Sequence, residues 1–317
     1  MGNLRRRFPG RVGPAGPLLL GLALLLPAGA GCQPEARSAT SAIRAEEFDG
    51  QRAMEWLKRQ VDAGPRVPGS EAHAATRRIL TEALGPDTQV QEFTHRTRQG
   101  TIPMANLIAR FGPTTGERIL LCAHWDCRPF CDQDPDPAKR DQPVPGANDG
   151  ASGVAVLLEL ARLFRKTPPP VGVTIVLFDG EDWGRTLDTM FLGSRYFAAH
   201  PVGGPFRYGI LLDMVGDADL QIYRERHSQQ RAPAIVDRVW AAAAELGYEE
   251  FRPSIGYTIE DDHIPLLDKG IPVIDVIDFD YPPWHTTQDL PDKCSARSLK
   301  VVGDVVRQVV YTDPPAD

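Results

Sequence analysis

Residues 173–182 read Val173-Thr174-Ile175-Val176-Leu177-Phe178-Asp179-Gly180-Glu181-Asp182. Six largely apolar residues followed by a Gly-containing acidic turn predict a buried strand whose carboxyl end carries carboxylates. Similar segments recur along the chain. Strand-like runs are expected at 89–97, 104–111, 119–123, 208–212 and 272–277, and helical periodicity at 154–164, 194–199, 234–246 and 296–310. Asp49 and Ser70 stand where helix N-caps belong, each ahead of an amphipathic stretch. Strands alternating with helices predict an α/β fold, a mostly parallel central sheet sandwiched by helices.

In such a fold, ligands bind in the crevice beyond the carboxyl ends of the strands. His124 and Asp126 follow the run 119–123, Glu181 and Asp182 follow 173–178, Asp213 follows 208–212, and His285 follows the last strand by a short loop. Asp149 precedes the helix expected to begin near Gly150. Each residue alone has an ordinary reading. Asn148-Asp149-Gly150 is a turn before a helix, Glu181-Asp182 a solvated acidic loop, Asp213 a cap, His124 a strand-end histidine, and His285 a ring packed on Trp284. His73, His95, His200 and His227 lie in polar or helical contexts and read as structural, while His263 is open. The convergence of the others on one edge is what carries chemistry. Catalytic zinc takes three ligands from His and carboxylate and keeps one position open, and an adjacent Glu that is not a ligand can shuttle protons.

The chain has 317 residues, 42% of them apolar and 24% charged, with a net charge of -7. This composition excludes a wholly disordered chain, and the acidic balance argues against nucleic-acid binding, which needs a basic surface. Arg5 to Arg7, the apolar run 18–26 and the small residues before Cys32 predict an export signal over residues 1–32. The run is shorter than the about 20 residues a membrane span requires. Cys32 after Gly-Ala-Gly resembles a bacterial lipoprotein cleavage site, so a lipidated, membrane-attached Cys32 competes with simple secretion, to the periplasm or beyond. Residues 33–45 read as a flexible tether and 46–317 as one catalytic domain without internal repeats. Export makes disulfides among Cys122, Cys127, Cys131 and Cys294 an open expectation, with a buried free thiol the alternative at Cys122.

The blocks Ala123-His124-Trp125-Asp126, Gly146-Ala147-Asn148-Asp149-Gly150-Ala151-Ser152-Gly153, Phe178-Asp179-Gly180-Glu181-Asp182, Leu192-Gly193-Ser194, Leu212-Asp213-Met214 and Trp284-His285-Thr286 resemble, in this order, the zinc exopeptidase family that includes bacterial aminopeptidases. Within it, Ile259-Glu260-Asp261-Asp262-His263-Ile264-Pro265 and Gly209 to Gly216 are similar to the animal-type glutaminyl cyclases and their bacterial relatives. The resemblance runs from about Phe48 to the C-terminus. It implies a zinc-exopeptidase-like fold and a glutaminyl-peptide cyclotransferase acting on peptide or protein N-termini.

By position, the resemblance implies that Asp149, Asp182 and His285 hold one Zn²⁺, that Glu181 is the proton-shuttling acid, and that Asp261 positions the substrate amine in a network with Asp213. Trp284 is implied as a wall of the glutamine pocket. His124 and Asp213 match the positions of a second zinc in aminopeptidases, so a dinuclear aminopeptidase is the main alternative. A non-catalytic, lipid-anchored peptide-binding protein is the third, although no ligand position and no Glu is missing. Two residues depart from the animal cyclases: Asp182 stands for Glu, a shorter arm, and Asp275 for His. Asp132, Asp134 and Asp136 alternate like a calcium loop, but Pro135 and Pro137 interrupt it, and a solvated, Pro-stiffened loop is expected there. No phosphate cradle and no serine elbow occurs.

Overall fold

The computed structural model describes residues 46–98 and 100–314. The expected export signal, with Cys32, and the tether lie outside the described residues. In chain order the elements are α1 (Gly50–Asp62), α2 (Glu71–Leu84), β1 (Gln89–Thr97), β2 (Gly100–Phe111), β3 (Arg118–His124), α3 (Ala151–Lys166), β4 (Gly172–Phe178), α4 (Leu192–Ala199), β5 (Phe206–Asp213), β6 (Ile222–Arg224), α5 (Arg226–Arg231), α6 (Pro233–Glu245), β7 (Phe251–Ile255), α7 (His263–Asp268), β8 (Val273–Ile277) and α8 (Ala296–Thr312). The two expected caps are made: Asp49 accepts the N–H groups of Gln51 and Arg52, and Ser70 that of His73.

Six strands form one sheet in the order β1-β2-β4-β3-β5-β8. The β3/β4, β3/β5 and β5/β8 pairs are parallel, and β2 runs antiparallel to both its neighbours, so it alone opposes the common direction. Alternation along the central strands explains the burial of both faces. Ile119, Leu121 and Ala123 of β3 and Ile175 and Leu177 of β4 join the larger core under α1, α3 and α8. Leu120, Cys122, Val176 and Phe178 join the smaller core with Phe197 of α4 and Leu266 of α7. Each such side chain contributes about 1.5–3 kcal/mol when fully buried, which requires apolar residues at successive positions and produces the continuous runs seen in the sequence.

The strand order reverses around β3, with β4 on one side and β5 on the other. A crevice opens at such a switch point, at the carboxyl ends of the strands. There α3 packs against β5 closely enough that a Cβ on Gly153 would stand 2.2 Å from the carbonyl oxygen of Leu212. Gly150, the N-cap of α3, has φ of +91°, a conformation that L side chains rarely adopt, and so turns the chain from Asp149 into the helix.

The sequence reading missed the small parallel pair β6/β7 and the six-residue helices α5 and α7; segments this short carry little periodicity. The open question of disulfides is answered for the described cysteines: Cys122 is the buried free thiol read as its alternative, and Cys127, Cys131 and Cys294 are buried free thiols too. The loop after Asp126 is also not simply solvated. Asp134 is 2% exposed and accepts the N–H and hydroxyl of Thr287, while Asp136 remains exposed.

Candidate active site

Most residues singled out at the strand ends line this crevice, with His124 and Asp126 buried behind it. His124 and Asp213 are the last residues of β3 and β5. Glu181 and Asp182 turn out after β4, Asp149 precedes α3, and Trp284 and His285 lie beyond β8. Asp149, Glu181, Asp182, Asp213, Asp261, Trp284 and His285 line one cavity of about 260 Å³, closed on its apolar side by Met190, Ile277 and Phe279. His124 lies behind it and is 1% exposed.

Two buried aspartates shape the turns that carry the carboxylates. The Asp126 carboxylate accepts the N–H of Glu181 at 3.1 Å and that of Asp182 at 3.3 Å. Asp289 does the same for the turn at Asn148 and Asp149. His285 is held with φ of 54°, a left-handed conformation uncommon outside glycine and frequent at functional sites. Trp284 stacks on its ring with centroids 3.8 Å apart and planes 25° apart.

The donor atoms form a pocket for a cation. His285 Nε2 lies 3.6 Å from Asp149 Oδ2 and 3.4 Å from Asp182 Oδ2. Zinc bonds of about 2.0–2.1 Å arranged tetrahedrally put neighbouring donors about 3.4 Å apart. Both of these carboxylate oxygens are buried and have no hydrogen-bond partner, a costly state unless a cation completes them. The residues present therefore fit zinc. On its other side, Asp149 Oδ1 lies 3.1 Å from His124 Nε2, which is also hydrogen-bonded to Asp213 Oδ1 at 3.2 Å. The donor atoms of His124, Asp149 and Asp213 also lie within 4.8 Å of one another. A third group of donors, Asp261, His263 and Asp275, falls within 4.8 Å. His263, open in the sequence, stands 3.4 Å from Glu225 Oε2 and 3.9 Å from Asp275 Oδ2.

Charge is crowded here. Burial, and after it the charge of Asp182, pushes the Glu181 carboxyl well above the usual range, the direction found for carboxyls that act as acids and bases near neutral pH. Burial and then Asp213 raise Asp261 to about 7. Burial raises Asp182 and Asp213 as well. For Asp149 burial acts in the same sense, but the hydrogen bond from His124 and the two histidine charges outweigh it, and its value is lowered. His285 is raised to about 9 against burial, with Asp182 the strongest opposing influence. A divalent cation would offset this excess of carboxylate.

His73 keeps the structural reading made from the sequence, whereas residues that support the site were not recognised there. His73, read as structural, is packed flat against Trp125 and bonded to both oxygens of Asp179 at 2.9 and 3.0 Å, an internal role away from the cavity. Arg128 and Asp289 had no sequence signal of their own, and Asp132, read as part of a solvated loop, instead meets Arg128 and His285. Only their long-range contacts reveal them.

The model of peptidase family M28 matches residues 106–310. The chain is 27% identical to the glutaminyl-peptide cyclotransferase of Bos taurus, over 77% of this chain and 77% of that protein. It is 37% identical to the glutaminyl cyclase of Bacteroides thetaiotaomicron, whose crystal structure with N-acetylhistamine superposes with a TM-score of 0.81 and covers 85% of this chain and 100% of that one. A leucine aminopeptidase precursor from the same organism is 38% identical, with a TM-score of 0.82, 85% of this chain covered and 99% of that one.

Proposed function

The chain belongs to peptidase family M28, and on that premise we propose that it is a zinc-dependent glutaminyl-peptide cyclotransferase, converting N-terminal glutamine of peptides or proteins to pyroglutamate with release of ammonia. The observation that carries the one-metal reading is the contrast between the two donor groups. Asp149 Oδ2 and Asp182 Oδ2 are buried without partners around His285, whereas His124 Nε2 is already hydrogen-bonded to Asp213. On that contrast we favour one zinc, held by Asp149, Asp182 and His285.

Bound there, zinc supplies a Lewis acid that polarises the side-chain amide of the substrate glutamine. Glu181, in the same cavity and with its carboxyl raised, accepts a proton from the α-amine as that nitrogen forms a bond to the amide carbon. It then returns the proton to the departing amide nitrogen. The bond from carbon to that nitrogen breaks and ammonia leaves, so protons and atoms balance. Asp261 faces the amine and orients it, with Asp213 beside it, and Trp284 walls the glutamine side chain. Both reacting groups belong to one residue, so ring closure requires only that the pocket hold a productive rotamer.

A second reading, a dinuclear aminopeptidase, is kept because His124, Asp149 and Asp213 retain donor atoms within 4.8 Å. Incubating the purified protein with a Gln-initiated peptide and with leucine amide separates the two. Loss of ammonia from the peptide with leucine amide intact supports the cyclase; cleavage of leucine amide without cyclisation overturns it. Zinc stoichiometry near one supports the one-metal assignment, and near two opposes it. For location we propose export, either anchored by a lipid on Cys32 or secreted. This rests on the pattern of residues 5–32 and is tested by the mass of the mature N-terminus recovered from membranes.

A further inference from the structure

Arg128 lies in the loop after β3 and is 5% exposed. Its guanidinium makes four hydrogen bonds in two directions. Nε and Nη2 take the two oxygens of Asp132 at 3.0 and 2.9 Å, and Nη1 takes Asp182 Oδ1 at 2.5 Å and the Gly184 carbonyl at 3.1 Å. Asp132 Oδ1, in turn, stands 3.2 Å from His285 Nδ1. The path from Asp182 through Arg128 and Asp132 to His285 thus begins and ends on residues whose other atoms, Asp182 Oδ2 and His285 Nε2, face each other at 3.4 Å. We propose that Arg128 is a positioning residue that sets two metal ligands at once, Asp182 directly and His285 through Asp132. The proposal rests on the zinc assignment to Asp149, Asp182 and His285, and holds for either reaction class.

The physical case is one of matched directions. A carboxylate ligand that binds through one oxygen can rotate about its last bond unless the other oxygen is held, and Asp182 Oδ1 is held by Nη1. An imidazole that ligates through Nε2 needs a proton on Nδ1 and a fixed ring plane, and an acceptor on Nδ1 provides both. Asp132 Oδ1, 3.2 Å from Nδ1, is the carboxylate placed to accept from it, although the two are not aligned as a hydrogen bond here; Asp132 is partly exposed, so it would wander without its two-point contact to Arg128. A planar fork is needed to meet a carboxylate with two parallel bonds while a third nitrogen points elsewhere; an ammonium has one nitrogen and cannot span both partners. The fork is itself fixed. The ring of Phe130 lies 4.5 Å from the Arg128 guanidinium and 3.6 Å from that of Arg185, so the aromatic face is shared between two cations. Backbone bonds from Val144 N to the Arg128 carbonyl at 3.0 Å and from Cys131 N to the Gln142 carbonyl at 2.8 Å pin the loop that carries it. The buried positive charge also offsets part of the carboxylate excess at the site, which makes its placement economical.

The test is zinc affinity by chelator competition for the wild-type protein, Arg128→Lys, Asp132→Asn and the double variant. The visible spectrum of the Co²⁺-substituted forms accompanies it, since that spectrum reports ligand geometry. Each single variant is expected to lose about 10- to 100-fold in affinity and to alter the cobalt bands, and the double variant to lose less than the product of the two because both act along one path. An Arg128→Lys protein with wild-type zinc affinity and an unchanged cobalt spectrum overturns the proposal. If Arg128→Lys does not fold, Asp132→Asn decides alone by the same two readouts. A wild-type protein that binds no zinc overturns the underlying metal assignment instead, which separates the two failures.

Discussion

Asp289 and Asp149 lie 140 residues apart, and the carboxylate of the first accepts the backbone N–H of the second at 3.2 Å. Asp289 also takes the Asn148 N–H at 2.8 Å and the Tyr281 hydroxyl at 2.7 Å. It binds the backbone of the turn and leaves the Asp149 side chain free to face His285 and His124. Asp126 repeats the device under Glu181 and Asp182. Burying two carboxylates is costly, but charge-assisted bonds to paired N–H groups offset much of it. What is gained is a pair of turns whose projecting side chains start from a fixed backbone.

Asp289→Ala would leave two backbone N–H groups and a tyrosine hydroxyl without their acceptor. Denaturant unfolding should show a loss of about 2–4 kcal/mol, and zinc affinity should fall with it. Unchanged stability would mean that water replaces the carboxylate and that the turn does not depend on it.

Glu181→Gln keeps the size of the side chain and removes its ability to carry a proton. Turnover of a Gln-initiated peptide should drop by at least about 10²-fold, with zinc still bound at the wild-type stoichiometry. Substantial remaining activity would assign the proton transfer to another group.

Trp284→Ala removes a ring stacked on His285 at 3.8 Å and packed on Phe279 at 5.0 Å. An increase in KM of about tenfold is expected from the lost aromatic contact, with Trp284→Phe recovering most of it. A KM that does not move would take Trp284 out of the substrate pocket.

Removal of zinc with a chelator should abolish activity, and re-addition of zinc should restore it. The thermal midpoint should fall on removal, since zinc at about 100 times its Kd adds about 2.7 kcal/mol. Unfolding should stay cooperative, because the larger core under α1, α3 and α8 contains none of the ligands. A metal-free protein that unfolds without a cooperative transition would contradict this.

Glu225 gives a pH dependence remote from the metal ligands. Burial opposes its ionisation, but the bond to His263 and the N–H groups of Ser228 and His227 outweigh it and lower the carboxyl from 4.5 to about 2. A depressed carboxyl contributes stability that is present above the unfolded value and is lost as pH falls through the folded one. The stability difference between wild type and Glu225→Gln should therefore be full above about pH 5 and shrink toward pH 2. A difference constant over that window would show that the Glu225 carboxyl titrates alike in the folded and unfolded chains and is not held low.

The fold was largely legible from local chemistry. Unbroken apolar runs at 119–123 and 173–178 carried the signature of strands covered on both faces, and Asp49 and Ser70 announced helix starts because capping is a contact within three residues. The positions of Asp149, Glu181, Asp182, Asp213 and His285 followed from strand ends, since a parallel sheet brings those ends together. The pair β6/β7, the helices α5 and α7, and the free state of the four cysteines were decided in three dimensions.

So was the working arrangement of the site. Sequence order placed the carboxylates and histidines along one edge but did not say which oxygen of Asp149 faces which histidine, or that Arg128 ties Asp182 to His285 by way of Asp132. The reason is physical. Periodicity records only which face of an element is apolar, whereas a hydrogen bond between a side chain and a turn 140 residues away depends on packing of the whole sheet and leaves no repeat in the chain.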